Sequence, residues 1–306
     1  MSEHTIIVTG GNSGLGYEAA KNIAHTKQNE TIIIASRNQQ KAETARKRMV
    51  NETGNHNIFT RPLDLGSLQS VRDFASDFKQ ADFPPLYALV CNAGLNPTSL
   101  SYTKEGFETT FGVNYLGHFL LVNLLLSSVV ENGRIVFVSS DTHNPPKLFP
   151  FPAPHFEDIE PLAHPTADSN ALLRYPTSKL LDLMAAYIIS DKVAEQTNKH
   201  ITVNAFNPGL MTGTNLNGDS GANPIMKFTM NAFSYLIGRH GSAETSGQAL
   251  AEMVTESRYA GVTGKYIDRG KDAKSSPASY DRAAQAKLWQ QSLVLADVQP
   301  NETILK

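Results

Sequence analysis

Tyr175 and Lys179 stand four positions apart in the run Tyr-Pro-Thr-Ser-Lys, and side chains at that spacing share one face of a helix. A phenol titrates near ~10 in a model peptide, and an ammonium beside it favours the ionised form, which brings the phenol closer to proton transfer at working pH. The same pair also arises by chance, as a ring packed over a lysine stem, so its weight depends on the company it keeps. That company begins with Ser139 and Ser140, two hydroxyls closing the apolar run Arg134-Ile-Val-Phe-Val. Neighbours on a strand point to opposite faces, so one of the two can meet Tyr175. Asn114 adds a polar amide to the apolar side of a long helix expected over 104–130, where it must be satisfied within the core or placed for function. His118, one turn on, reads as structural.

Such groups need a scaffold that brings distant segments to one edge, and the chain reads as alternating strands and helices. A β-branched run, Thr5 to Thr9, enters a turn containing Gly10, Asn12, Ser13, Gly14, Leu15 and Gly16, and helical spacing starts at Tyr17. Glycines permit the tight turn and a close backbone approach, and the helix start behind them offers N–H groups to a pyrophosphate. The second strand, Thr31 to Ser36, ends not on an acid but on Ser36 and Arg37, with Lys41 a turn later. A carboxylate there would repel a 2′-phosphate, whereas these residues can bind it, which favours NADP(H) over NAD(H). A third strand near 57–61 runs into Asp64 and Leu65, where Asp64 can accept from an adenine amino group, and Ser67 caps a helix to about Gln80. The fourth strand, Leu86 to Cys91, is followed by Asn92, Ala93 and Gly94, small enough for a ribose or flat ring to press against backbone. A helix from Tyr175, a sixth strand over 200–206, a helix from Ser242 to about Ser257, a short strand over 263–268 and a helix over 280–295 complete the pattern. Between the sixth strand and Ser242, Pro208, Gly209, Thr212 and Thr214 suit the carboxamide and phosphate side of a cofactor.

Two segments interrupt the alternation. Residues 141–174 carry too many prolines for regular structure and read as an insertion that walls a substrate pocket. Residues 210–240 mix glycine and proline with large apolar side chains and read as a substrate loop or lid. With no linker or repeat, the 306 residues read as one domain. The 41% hydrophobic content supplies a core, and a net charge of −2 with a pI near 6.5 argues against nucleic acid as partner. The lone Cys91 excludes internal disulfides and thiolate metal clusters, and no metal is expected. The most apolar run, 119–130, is too short to span a bilayer, and the expectation is a cytoplasmic enzyme.

Together these motifs strongly resemble the short-chain dehydrogenase/reductase family. Thr9 to Gly16 looks like its cofactor turn, Asp64 like its adenine contact, Asn92-Ala93-Gly94 like its fourth-strand motif, and Asn114, Ser140, Tyr175 and Lys179 like its catalytic four. The resemblance implies a Rossmann-type, doubly wound parallel sheet of about seven strands. It implies hydride transfer between the nicotinamide of NADP(H) and a carbonyl or alcohol, with Tyr175 moving the proton. Lys179 would lower the tyrosine pKa and bind the nicotinamide ribose, Ser140 would bond the carbonyl oxygen, and Asn114 would hold a relay water. The stretches 103–108, 116–121 and 286–289 are similar to the branch containing retinol dehydrogenases and light-dependent protochlorophyllide reductases. The 35 positions from Ser140 to Tyr175 match that branch's insertion, whereas Leu210 stands where the pigment-reducing enzymes have cysteine. A light-driven double-bond reductase and a non-catalytic NADP(H) sensor are the alternatives to a carbonyl reductase or alcohol dehydrogenase acting on a hydrophobic small-molecule carbonyl or alcohol. A monomer or a homodimer is expected.

Overall fold

Ile6 and Ile7, adjacent in the first strand, bury their side chains in two different cores, and this alternation builds the whole fold. The computed structural model describes residues 3–145, 153–166, 171–211 and 240–306. In chain order the strands and helices that position the site are β1 (Thr5–Thr9), α1 (Gly14–Thr26), β2 (Thr31–Ser36), α2 (Gln39–Thr53), β3 (Ile58–Pro62), α3 (Leu68–Gln80) and β4 (Leu86–Cys91). A π-helical turn over Phe111–Leu116 then leads into α4 (Gly117–Leu125), β5 (Val129–Val138), the short α5 (Glu160–Ala163), α6 (Ala171–Gln196) and β6 (Thr202–Asn207). The chain closes with β7 (Leu210–Met211), β8 (His240–Gly241), α7 (Ala243–Thr255), β9 (Tyr266–Asp268), β10 (Lys271–Ala273) and α8 (Arg282–Leu295).

The main sheet has the order β10-β9-β6-β5-β4-β1-β2-β3, parallel except at β10. One face carries Ile7, Ile33, Leu89, Ile135 and Val203 against α3, α4, α6 and α8. The other carries Ile6, Ile32, Val90, Val136 and Val138 against α1, α2 and α7. Helices on both faces explain why β1 and β2 are buried along their whole length rather than on alternate residues. Since β1 lies between β2 and β4, the chain reverses its winding direction at the β1/β4 boundary, where a crevice opens beyond the carboxyl ends of the strands.

Three expectations need correction. The sheet has eight strands, because Arg269 and Gly270, both at positive φ (49° and 85°), form a two-residue turn that folds β10 back onto β9. Such a turn suits the right-handed strand twist. The helix expected over 104–130 is shorter at both ends. Gly106, at φ 89°, turns the chain before it, and the buried Glu108 carboxylate accepts from Phe111 N–H at 2.7 Å to start it. At the far end Val129 is already paired with Leu86 in the sheet. The helix bearing Tyr175 begins at Ala171, placing Pro176 within its second turn, where its missing N–H removes one bond and not the helix.

Of the insertion, residues 146–152 and 167–170 lie outside the described residues, as do residues 212–239 of the expected lid. The described part of the insertion packs inward through Phe156 and Ile159, both in the core, and Asp158 pairs with Lys287 of α8 at 2.8 Å. Among the described residues, the segment apolar and long enough to cross a membrane is Phe111–Ser128, which is 89% buried within the fold and so belongs to the core. Trp289 of α8, 1% exposed, meets Phe119 edge-on at 5.2 Å and fastens that core. Trp289→Ala is expected to lower stability by ~3–5 kcal/mol in denaturant unfolding, the usual effect of removing a large buried ring.

Candidate active site

The glycine turn owes its shape to Gly10, Gly14 and Gly16. Gly10 and Gly14 adopt φ of 66° and 56°. A Cβ on Gly16 would lie 2.3 Å from the Asn92 amide nitrogen and 2.6 Å from the Gly10 carbonyl oxygen, so α1 can start this close to β4 only without a side chain. Ser13 stands at the N-cap of α1 yet makes no capping hydrogen bond, whereas Asn38, Ser67, Ser242 and Asp281 cap α2, α3, α7 and α8. The first turn of α1 therefore presents uncapped N–H groups and the positive end of its dipole to the crevice, which suits a pyrophosphate.

From this turn a cleft of about 680 Å³ runs along the carboxyl edge of the sheet. Its adenine end is bordered by Arg37 and Lys41, both exposed and in no ion pair among the described residues, and by Asp64 and Leu65. Asn12, Ser13 and Leu15 border it on the turn side, and Asn92, Ala93 and Gly94 form its middle. At the far end it meets Ser140, Tyr175, Lys179, Pro208 and Gly209. Thr212 and Thr214 lie outside the described residues.

Asn114 is set back from the cleft and fully buried. Its side-chain oxygen accepts from Leu95 N–H at 2.9 Å, and its amide donates to the Leu95 carbonyl and to the Ser178 hydroxyl, each at 3.0 Å. The side chain thus ties the loop after β4 to α6. Its backbone carbonyl takes the Nδ1–H of His118 at 2.9 Å, leaving Nε2 to accept from the Thr9 hydroxyl at 2.9 Å. Burial pulls the His118 pKa down to about 4, so this ring is a neutral structural link.

The two serines separate as strand alternation requires. Ser139 donates to the Lys179 backbone carbonyl at 2.8 Å, whereas the Ser140 hydroxyl bonds the Tyr175 phenol. Lys179 Nζ lies 5.8 Å from the centroid of the Tyr175 ring. It donates to the Val138 carbonyl at 2.8 Å and to Asp182 at 2.9 Å, leaving its third donor for the cleft it lines. Lys179 and Ser140 both favour the Tyr175 phenolate, but burial outweighs them, and the phenol titrates above its ordinary value rather than below it. Tyr175 accordingly stands as a protonated donor at neutral pH.

Asp182 is the residue that the reading of the sequence missed. A signal was present: it is an acid placed among Leu180, Leu181, Leu183 and Met184 on a packing face. The described part of the insertion does not border the cleft beyond Thr142. His155, Asp158 and Leu162 instead line a second hollow of about 270 Å³ against Arg174, Thr177 and Leu181, on a different face of α6.

Fold and cleft together define a Rossmann-type nucleotide-binding protein whose crevice ends at a tyrosine–serine–lysine cluster. Residues 4–148 match the short chain dehydrogenase family. The chain is 34% identical over 295 residues to polyprenol dehydrogenase of Danio rerio, covering 94% of this chain and 85% of the relative. It is 33% identical over 299 residues to human retinol dehydrogenase 13, covering 96% and 85%. A solved structure of angucycline C-6 ketoreductase with bound NADP has a TM-score of 0.65, with 22% identity, over 88% of this chain and 95% of that one. This chain belongs to the short-chain dehydrogenase/reductase family, on the branch that includes the retinol dehydrogenases, and is an oxidoreductase.

The serine geometry makes opposite demands on two adjacent variants. Ser140→Ala is expected to lower kcat while leaving the melting midpoint nearly unchanged. Ser139→Ala should mainly lower stability, by ~1–2 kcal/mol for a buried hydrogen bond left with one partner. Steady-state kinetics and thermal unfolding of both variants check the assignment.

Proposed function

We propose that the protein reduces the carbonyl group of a hydrophobic substrate with NADPH, Tyr175 delivering the proton to the carbonyl oxygen. The observation that carries this reading is the Tyr175 phenol, protonated, bonded to Ser140 and beside the Lys179 ammonium, at the far end of a cleft that starts at the glycine turn. NADPH, when bound, supplies the hydride.

The residues present fit that cofactor. The uncapped start of α1 suits its pyrophosphate, and the side-chain-free Gly16 allows the backbone to approach. Arg37, with Lys41 beside it, suits a 2′-phosphate, and β2 ends without the acid that would repel one. The ketoreductase of similar fold was solved with NADP, which agrees with this choice. Asp64 and Leu65 are assigned to the adenine end, Asn92, Ala93 and Gly94 to the ribose and ring, and Pro208 and Gly209 to the carboxamide side.

At the reacting end, Ser140 orients the carbonyl oxygen and shares its hydrogen bond with Tyr175, which raises the proton-donating power of the phenol as negative charge develops on that oxygen. Lys179 stabilises the phenolate left behind, and Asn114 holds α6 and the loop after β4 at the right separation. Leu95, Pro97, Val113 and Met211 give the cleft apolar walls. Such walls agree with relatives named for polyprenol and retinol, and they support a long apolar alcohol or aldehyde as the substrate class.

Tyr175→Phe should reduce kcat by ~10²- to 10⁴-fold, the usual weight of a general acid, and leave NADPH affinity intact by fluorescence titration. Unchanged turnover would overturn the assignment. Arg37→Glu should lower kcat/KM for NADPH by roughly 10- to 100-fold, the worth of one charge-assisted hydrogen bond, with little effect on NADH. Both cofactors would be assayed against a panel of apolar aldehydes and ketones.

A further inference from the structure

The face of α6 that packs into the core holds one carboxylate, and nothing in simple packing calls for it. Asp182 lies three positions after Lys179, its side chain 2% exposed and that of Lys179 4% exposed, with Oδ2 and Nζ 2.9 Å apart. Its other oxygen, Oδ1, has no hydrogen-bond partner among the described residues. A buried ion pair is a poor device for stability, since a leucine of similar size would pack there without desolvating two charges. The pair is therefore better explained by what it does to its neighbours.

We propose that Asp182 is a positioning residue for proton transfer: its carboxylate keeps the Lys179 ammonium charged and fixed beside the Tyr175 phenol. This role rests on the reading of Tyr175 as proton donor. Every titratable group facing the pair supports the division of labour. Cys91 at the end of β4 is a thiol that burial pushes well up, and Tyr115 of the π turn is a phenol likewise held protonated. His118 of α4, pulled down to about 4, is neutral. Tyr175 on α6 itself is protonated. Among the described residues facing this pocket, Lys179 is thus the cation and Asp182 the anion at neutral pH.

Burial by itself would strip the proton from a lysine in such surroundings. The adjacent carboxylate reverses that, and the Lys179 ammonium stays charged above its ordinary range. The Val138 carbonyl, at 2.8 Å, takes a second donor and sets the direction of Nζ. With both contacts made, Lys179 has one geometry and one charge state, and its effect on Tyr175 is constant across working pH. The carboxylate, raised by burial to about 6, sets the acid boundary of the device.

The test is the isosteric Asp182→Asn, with Asp182→Glu as the conservative rescue. In Asp182→Asn burial acts on Lys179 unopposed, so the kcat profile for carbonyl reduction should gain an alkaline limb about one pH unit or more below that of the wild type. Asp182→Glu should retain the wild-type profile. A structural role alone would scale kcat equally at all pH, and superimposable profiles after scaling would overturn the proposal.

A second arm needs no turnover. In Lys179→Met the Asp182 carboxyl is buried without its cation, so its folded pKa, already raised to about 6 by burial, rises further above the unfolded value. Its stability contribution is then present below the unfolded pKa and lost as pH rises through the folded one. The melting midpoint of Lys179→Met should fall with rising pH relative to Lys179→Met/Asp182→Asn, and parallel curves would overturn the proposal. Absence of carbonyl turnover in the wild type would instead defeat the proposed function, while the melting curves still report whether the buried Asp182 and Lys179 hold each other's charge.

Discussion

The carboxyl edge of the sheet is held together by the hydroxyl of Thr9. Parallel strands that stop at one edge leave backbone groups there with no ladder partner, and each must be met from elsewhere. Thr9 Oγ1 accepts from Asn92 N–H at 2.9 Å and Ala93 N–H at 3.0 Å, and donates to His118 Nε2. His118 in turn takes hold of the Asn114 carbonyl, and the Asn92 amide returns to the Thr9 carbonyl at 2.8 Å. One short network thereby ties the end of β1, the loop after β4 and the π turn together in the core. The glycine turn, the middle of the cleft and the bracing asparagine take their positions from it. A neutral imidazole suits this task, since its two nitrogens can donate and accept in opposite directions while carrying no charge into the interior.

A second constraint comes from α6. Tyr175 and Lys179 face the cleft, Ser178 meets Asn114, and Asp182 meets Lys179 from within the core. The helix is attached to β5 through two contacts of different kinds, Ser139 with the Lys179 carbonyl and Lys179 Nζ with the Val138 carbonyl. Tyr175 and Lys179 are therefore positioned by the strand that also leads into Ser140. This coupling lets one helix combine a protonated phenol at the cleft wall with a charged ammonium and a carboxylate that are buried behind it. In water the lysine would perturb the tyrosine weakly, whereas at this burial each group decides the protonation of the next.

Much of this was legible in the chain because it is local. The β-branched runs, the glycine turn and the caps at Ser67 and Ser242 need only period, φ freedom and a hydroxyl at the right place. The resemblance carried by Asn114, Ser140, Tyr175 and Lys179 added the order in which these groups assemble. What went unread was non-local or depended on competition between terms. The β9–β10 hairpin rests on the Arg269–Gly270 turn, a weak signal beside the stronger helix that follows it. The start of the π turn that leads into α4 depends on Gly106 and on a buried Glu108 whose backbone N–H bonds the Ala163 carbonyl, more than fifty positions away, at 2.7 Å.

The sequence by itself determined the class of protein: alternating strands and helices, a phosphate-sized glycine turn, a strand end that favours an extra phosphate, and a tyrosine four residues before a lysine. These follow from spacing along the backbone, which a linear chain states directly. Tertiary structure alone decided the electrostatics of Tyr175 and Lys179. Helical spacing makes them neighbours and implies a lowered phenol pKa, yet burial raises it, and the charge of the lysine depends on Asp182, a residue that periodicity reads as core. Desolvation scales with what surrounds a group in three dimensions, and no spacing along the chain reports that.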